Sequence, residues 1–234
     1  MSRIKILYIL TFIVAFCSIV YELILGQALS LFLGNTILRF SVTIGVYMFA
    51  MGIGAMLVEG KIIKKRIFYF IFIEMLLVLI GGFSPILLFF AQFVLGGGFL
   101  FLLFALILIF SIGVLTGFEI PLLMELFKDE TKDGNSEGKV LGVDYLGAFM
   151  GSIVFAIFFY PKFGLLQTTF TIALLNCLVG IFFYLKWSKK EKWSGGEKIL
   201  KNIFKTQIVF LVVLAGALVV SGNLTESLVG LYLK

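Results

Sequence analysis

The chain has 234 residues, is 61% hydrophobic and 14% charged, and combines a mean hydropathy of +1.15 with a net charge of +6. Soluble domains are about 45–50% apolar and about 25% charged, so a water-exposed fold of this size could not hide its apolar surface, whereas lipid could cover it. The Lys and Arg residues sit in short loops between apolar runs, which speaks against nucleic acid; histidine is absent, and Cys17 and Cys177 both lie inside apolar runs, so no catalytic histidine, disulfide framework or metal site is expected.

A membrane span needs roughly 20 apolar residues. Seven candidates follow in chain order: Ile6–Leu33, Phe40–Val58, Ile67–Phe93, Phe99–Phe127, Val140–Tyr160, Leu165–Leu185 and Thr206–Leu224. They predict an all-α integral membrane protein, a bundle of about seven transmembrane helices forming one polytopic domain over residues 1–234. The first run is too long for the apolar region of a signal peptide, about 7–15 residues, and no small-residue cleavage site follows it, so it is read as a retained helix. Short separators are turn-like: Gly34-Asn35-Thr36, Gly96-Gly97-Gly98 and Pro161-Lys162-Phe163-Gly164. The two longer ones, Lys128–Lys139 and Lys186–Lys205, are charged, and the second contains Gly195-Gly196.

Lys and Arg accumulate on the cytoplasmic side of membrane proteins. With the N-terminus inside, 16 of the 19 basic residues fall inside; Arg39, Lys162 and Lys234 fall outside. The expected location is the cell (inner or plasma) membrane, with the lipid bilayer as principal partner. Seven spans place the C-terminus outside.

A charged carboxylate at the centre of a membrane helix costs on the order of 2.5–3.5 kcal/mol, so such residues usually face the bundle interior and a partner. Glu22, Glu74, Glu119 and Asp144 fall within spans; Glu125 stands at the inner end of its helix. No Lys or Arg lies deep in any span to neutralise them. Their partner would be a hydroxyl, an amide, a snorkelling base, a proton or a bound cation. One reading is a polar pocket or a proton or cation path lined by Glu22, Glu119 and Asp144, with Tyr21, Gln27, Asn35 and Tyr145 as hydrogen-bonding neighbours. The other is interhelical glue or interfacial placement, which weighs most on Glu74 and Asp144. Pro121, two residues after Glu119, lacks an N–H and frees a carbonyl one turn earlier, enough to kink the helix or help build a buried site. Gly113-x-x-x-Gly117 and Gly147-x-x-x-Gly151 have the spacing that lets helices approach closely, favouring tight packing within the chain over a dimer interface. Gly96-Gly97-Gly98 is read as a turn, because a nucleotide loop needs a strand before it and a helix after it.

Three stretches together resemble a known family: SIVYELILGQALSLFLGNTILRFS over Ser18–Ser41, GFEIPLL over Gly117–Leu123, and VLGVDYLGAFMGSIVFAIFFYPKFGL over Val140–Leu165. They are similar to the membrane domain that precedes the catalytic domain in spermidine synthase-like proteins, the polyamine aminopropyltransferases. The resemblance implies a following Rossmann-like domain that binds decarboxylated S-adenosylmethionine and a diamine such as putrescine. The chain stops near where that domain would begin, so no catalytic residue and no cofactor is carried over, and no activity is expected from this chain alone. Glu22, Glu119, Pro121, Asp144, Tyr145 and Gly147 are the scaffold positions that match. More loosely, Gly52-x-Gly54 followed by a basic loop resembles half of a major-facilitator-type fold, although seven spans are too few for a complete transporter unless it pairs.

Two functions follow as expectations. The first is a multi-pass domain that anchors a partner or missing synthase domain, or binds a polyamine or other small cation for it. The second is a small proton- or cation-coupled transporter acting as a homo-oligomer, with Glu22 and Glu119 as coupling acids. A purely structural bundle is the third reading. An outside C-terminus would put a following synthase domain away from its nucleotide-type cosubstrate, so the side on which the chain ends is a decisive observation.

Overall fold

The computed structural model describes residues 3–130, 136–188 and 196–232, except for the side chains of 61, 136 and 222–232. Lys132, Lys189, Lys190, Lys192, Gly195 and Lys234 lie outside the described residues. Every regular element among the described residues is helical. In order they are α1 (Arg3–Leu33), α2 (Thr36–Met56), α3 (Lys61–Lys64), α4 (Arg66–Ile80), α5 (Ser84–Leu95), α6 (Phe99–Glu130), α7 (Ser136–Val154) with a π-helical turn at Phe155–Phe159, α8 (Tyr160–Trp187) and α9 (Gly196–Tyr232). Among the described residues, five helical stretches are long and apolar enough to cross a membrane, or six if the bent pair α4–α5 counts as one.

Helix α1 is apolar on every side, and such a helix is stable only when it is surrounded. It packs against α2, α6, α7 and α8, with Leu7, Val20, Tyr21, Ile24, Leu25 and Ala28 completely buried. The chain leaves it through a two-residue connection that needs left-handed backbone at both positions: Gly34 has φ 66° and Asn35 φ 48°. Gly takes that conformation without a Cβ penalty and Asn tolerates it. The Asn35 side chain then accepts the Leu38 N–H at 3.3 Å, capping α2.

Contacts between helices give their directions. Gly26 faces Phe40, and Ser18 faces Tyr47, so α2 runs back along α1. Arg66 pairs with Asp129, so α4 is antiparallel to α6, and Tyr8–Phe127 with Phe32–Phe101 makes α6 antiparallel to α1. Gly147 packs on Phe12 and Gly151 on Phe16, so α7 runs parallel to α1. Cys17 faces the Ile172 carbonyl while Gln27 bonds Tyr160, so α8 descends where α7 ascended. The reversal occurs at Gly164, φ 65°, inside an otherwise unbroken hydrogen-bonded run. Cys177–Gln207 and Tyr184–Phe204 make α9 antiparallel to α8. Charged groups gather at one end of the bundle: Glu130 accepts from Arg3 at 3.5 Å and from the Trp187 indole at 3.3 Å, and Lys128 meets Glu125 and Glu137.

Two elements differ from the sequence reading. The single helix predicted over 67–93 is two, α4 and α5, bent by 44°. Gly81 and Gly82 make the break, Ser84 Oγ donates to the Gly81 carbonyl at 2.7 Å, and Pro85 suits the first turn of α5. A Cβ on Gly81 would stand 2.9 Å from the Tyr21 ring, so the break also admits that side chain. Helix α9 begins ten residues before the predicted Thr206. Its first turns are amphipathic, with Leu200, Ile203 and Gln207 buried while Lys198, Lys201 and Lys205 are exposed.

Candidate functional site

Two close helix pairs frame the site. Between α2 and α6, a Cβ on Gly117 would lie 2.2 Å from the Met51 carbonyl oxygen, and one on Gly54 would lie 2.2 Å from that of Val114. Gly113 packs in the same way on Ala50 and Tyr47. Between α1 and α7, Gly147 lies on the Phe12 carbonyl and Gly151 on Phe16 and Ile19. Backbone-to-backbone approach this tight is open only to glycine.

Where the two pairs meet, a cavity of about 70 Å³ remains, lined by Ala15, Ser18, Ile19 and Glu22 of α1, Met51 of α2, Thr116, Glu119 and Ile120 of α6, and Asp144 and Ala148 of α7. The spacing is helical on each wall: one face of α1 over two turns, one of α6 over one, and one of α7 over one. Two turns of α1 make the slot about 10 Å long. Small side chains (Ala15, Ser18, Ala148) leave the space, and the acids point into it. Pro121 lies just past this wall, and the carbonyl it deprives of an intrahelical donor is that of Gly117.

Glu22, Glu119 and Asp144 therefore share one cavity. Glu119 is 2% exposed, and its Oε1 has no hydrogen-bond partner. It lies within electrostatic reach of Asp144 and faces Glu74 across the α4–α6 contact. Glu74 is completely buried and does not line the cavity; neither of its oxygens finds a partner. Two ionised carboxylates offer each other only acceptors, so the pair needs a proton or another positive charge to be satisfied. Among the described residues, none of the four acids meets a Lys or Arg within ion-pair distance. Nor do three His, Cys, Asp or Glu side chains converge closely enough among those residues to hold a metal ion.

The other candidate neighbours lie elsewhere. Tyr145 is 69% exposed and points away from the cavity that Asp144 lines. Gln27 donates to Tyr160 Oη at 2.7 Å, tying α1 to the start of α8. Asn35 caps α2. Tyr21 is completely buried, packs on Gly81, and leaves its hydroxyl unpartnered near Glu74 and Cys17. Ser18 and Thr116 line the cavity without having been singled out in the sequence, because hydroxyls on apolar helices leave no hydropathy signal. Thr116 bonds its own helix at the Gly113 carbonyl, 3.0 Å away, as such residues commonly do. A larger groove of about 450 Å³ between α1 and α8 is lined only by apolar residues and carries no chemistry.

The chain is similar to curated polyamine aminopropyltransferases. It is 39% identical over 184 residues to the polyamine aminopropyltransferase of Leptospira interrogans, covering 77% of this chain and 35% of that protein. The protein of that name from Oceanobacillus iheyensis is 36% identical over 179 residues, 76% of this chain and 34% of the relative. Polyamine aminopropyltransferase 2 of Streptomyces coelicolor is 31% identical over 224 residues, 91% of this chain and 39% of the relative. The chain thus spans little more than a third of the length of the curated relatives it matches. No family model and no solved structure matches it.

Proposed function

We propose that this chain is the membrane-embedded part of a polyamine aminopropyltransferase-like protein, and that its carboxylate cavity binds an ammonium group of a polyamine or a similarly small organic cation. The observation that carries the reading is Glu119. A buried carboxyl with an unpartnered oxygen lines a cavity shared with two further acids, and among the described residues no basic side chain stands within ion-pair distance of it. A cation supplies the missing charge. A multidentate metal ion fits less well, because the acids do not converge on one point. The volume admits an ammonium head and its first methylenes rather than a whole spermidine or an adenosyl group. The chemistry of aminopropyl transfer, with decarboxylated S-adenosylmethionine as donor, would then belong to the two-thirds of the relatives that this chain does not match. The role assigned here is to hold the cationic substrate or product at the membrane and to anchor the synthase domain.

In this reading the bundle crosses the bilayer seven times. Its passes are α1, α2, the bent pair α4–α5, α6, α7 with its π turn, α8 and α9. Their alternating directions, the apolar side chains exposed on α2, α6, α7 and α9, and the gathering of charges at the N-terminal end support it. The N-terminus is cytoplasmic and the end of α9 lies on the other side. Reporters fused after Lys234 should be active outside the cytoplasm; cytoplasmic activity there would refute the seven-pass arrangement. For the site, equilibrium dialysis of labelled putrescine and spermidine against the protein in lipid nanodiscs should show saturable binding. Binding should weaken at least tenfold in Glu22→Gln and in Glu119→Gln. Absence of saturable binding to the parent protein would overturn the proposal.

A further inference from the structure

Glu119 has two sides. It lines the cavity where a cation would sit, and it also interacts with Glu74, which is buried and does not line the cavity. Among the described residues, the titratable groups that face Glu119 from neighbouring helices are acids or neutral donors. From α1 come Cys17, Tyr21 and Glu22; from α2, Tyr47; from α4, Glu74; and from α7, Asp144. Among the described residues no Lys or Arg joins them. An uncompensated charge in such a place is costly, so the empty site and the filled site must both be close to neutral.

We propose that an ammonium group entering the cavity exchanges for a proton on Glu119, while Glu74 keeps its own proton and donates it in a hydrogen bond to the Glu119 carboxylate so formed. This rests on the cation-site reading above. The balance is simple. The O–H bond of Glu119 breaks, the proton leaves to solvent through the cavity, and the ammonium takes its place as counter-charge. No bond of the amine is made or broken, and the charge of the site is unchanged. Glu74 is then a positioning residue. That one hydrogen bond gives a partner to one of the two buried, partnerless Glu74 oxygens. Inside the cavity one ammonium is exchanged for one proton, the second ammonium of a diamine lying outside that count, and the affinity for the amine would rise about tenfold per pH unit while Glu119 is protonated in the empty state.

The test is calorimetric titration of putrescine into the nanodisc-embedded full chain, in phosphate and in Tris at one pH. The dependence of the heat on the buffer counts the protons released. The parent protein should release about one proton from Glu119 per putrescine bound, and Glu119→Gln should lower the count by that one. Glu74→Gln, whose amide still donates to Glu119, should bind within a few-fold of the parent and keep the release. Should Glu119→Gln bind too weakly to titrate, Glu22→Gln decides the matter, because it should bind more weakly yet release the same proton. Putrescine bound without proton release would overturn the exchange and leave the cation site standing. No binding to the parent would remove both. Undiminished release in Glu119→Gln, or release lost in Glu22→Gln, would place the exchange on another acid and refute the assignment.

Discussion

Replacing Gly117 by alanine tests whether the close approach of α2 and α6 holds the bundle together. The added Cβ would stand 2.2 Å from the Met51 carbonyl oxygen and 2.7 Å from its Cα. Both are backbone atoms, so no side-chain rotation relieves the clash. Carbon contacts settle near 3.5–4.0 Å, so the helices must part by about 1 Å. A gap of that size forfeits a quarter to a half of each van der Waals well along the seam, which Gly54 and Gly113 share. Overpacking of this kind costs about 1–3 kcal/mol, against a helix-propensity gain of about 1 kcal/mol for alanine over glycine. A net loss of about 0–2 kcal/mol is expected, up to roughly 8 °C in melting temperature for a chain of this size, and about 1–3 kcal/mol relative to an alanine that gains the same propensity without the clash. A thiol-reactive fluorescent dye makes the assay, since Cys17 and Cys177 are free and buried and become reactive only on unfolding. Gly142→Ala is the control: among the described residues nothing beyond its own stretch of helix lies within 4 Å of a Cβ there, and it should melt at or above the parent temperature. If Gly117→Ala melts as high as Gly142→Ala, the packing argument fails, and with it the account of how the cavity wall is set.

Two further outcomes are expected from the same assay. Asn35→Ala removes both a cap and a residue that tolerates φ 48°, and should cost about 1–2 kcal/mol, whereas Asn35→Gly should cost only a few tenths; equal losses would show that the left-handed turn is not the cause. Gln27→Leu and Tyr160→Phe each break the 2.7 Å bond that ties α1 to the start of α8, and a double-mutant cycle should return a coupling of about 0.5–1.5 kcal/mol, with additive losses contradicting the contact.

The acids were legible in the sequence because a carboxylate in an apolar run is rare enough to stand out. That Glu22, Glu119 and Asp144 share one cavity is a matter of register between helices far apart in the chain, and a single sequence carries no direct record of it. What it does carry is the glycine spacing, and Gly147 and Gly151 with Gly113 and Gly117 turn out to mark the two seams between which the cavity opens. Tyr145 shows the limit of sequence adjacency. It follows Asp144, but consecutive helical residues diverge by about 100°, so one lines the cavity and the other faces outward. The break in the third apolar run had its signals, Gly81-Gly82 and Ser84-Pro85, yet hydropathy averaged over about 20 residues erases four of them. The early start of α9 failed for the opposite reason: its lysines lowered the hydropathy while the period of Leu200, Ile203 and Gln207 was already helical. Glu74 is the most instructive case. Its position near a helix end favoured a structural role by sequence, but the antiparallel pairing of α4 with α6, pinned by Arg66 and Asp129, carries it to the level of Glu119 and away from solvent. Buried there without a basic partner among the described residues, it fits the neutral, proton-bearing role proposed for it, and its place outside the cavity lining suits it to contact Glu119 rather than the cavity.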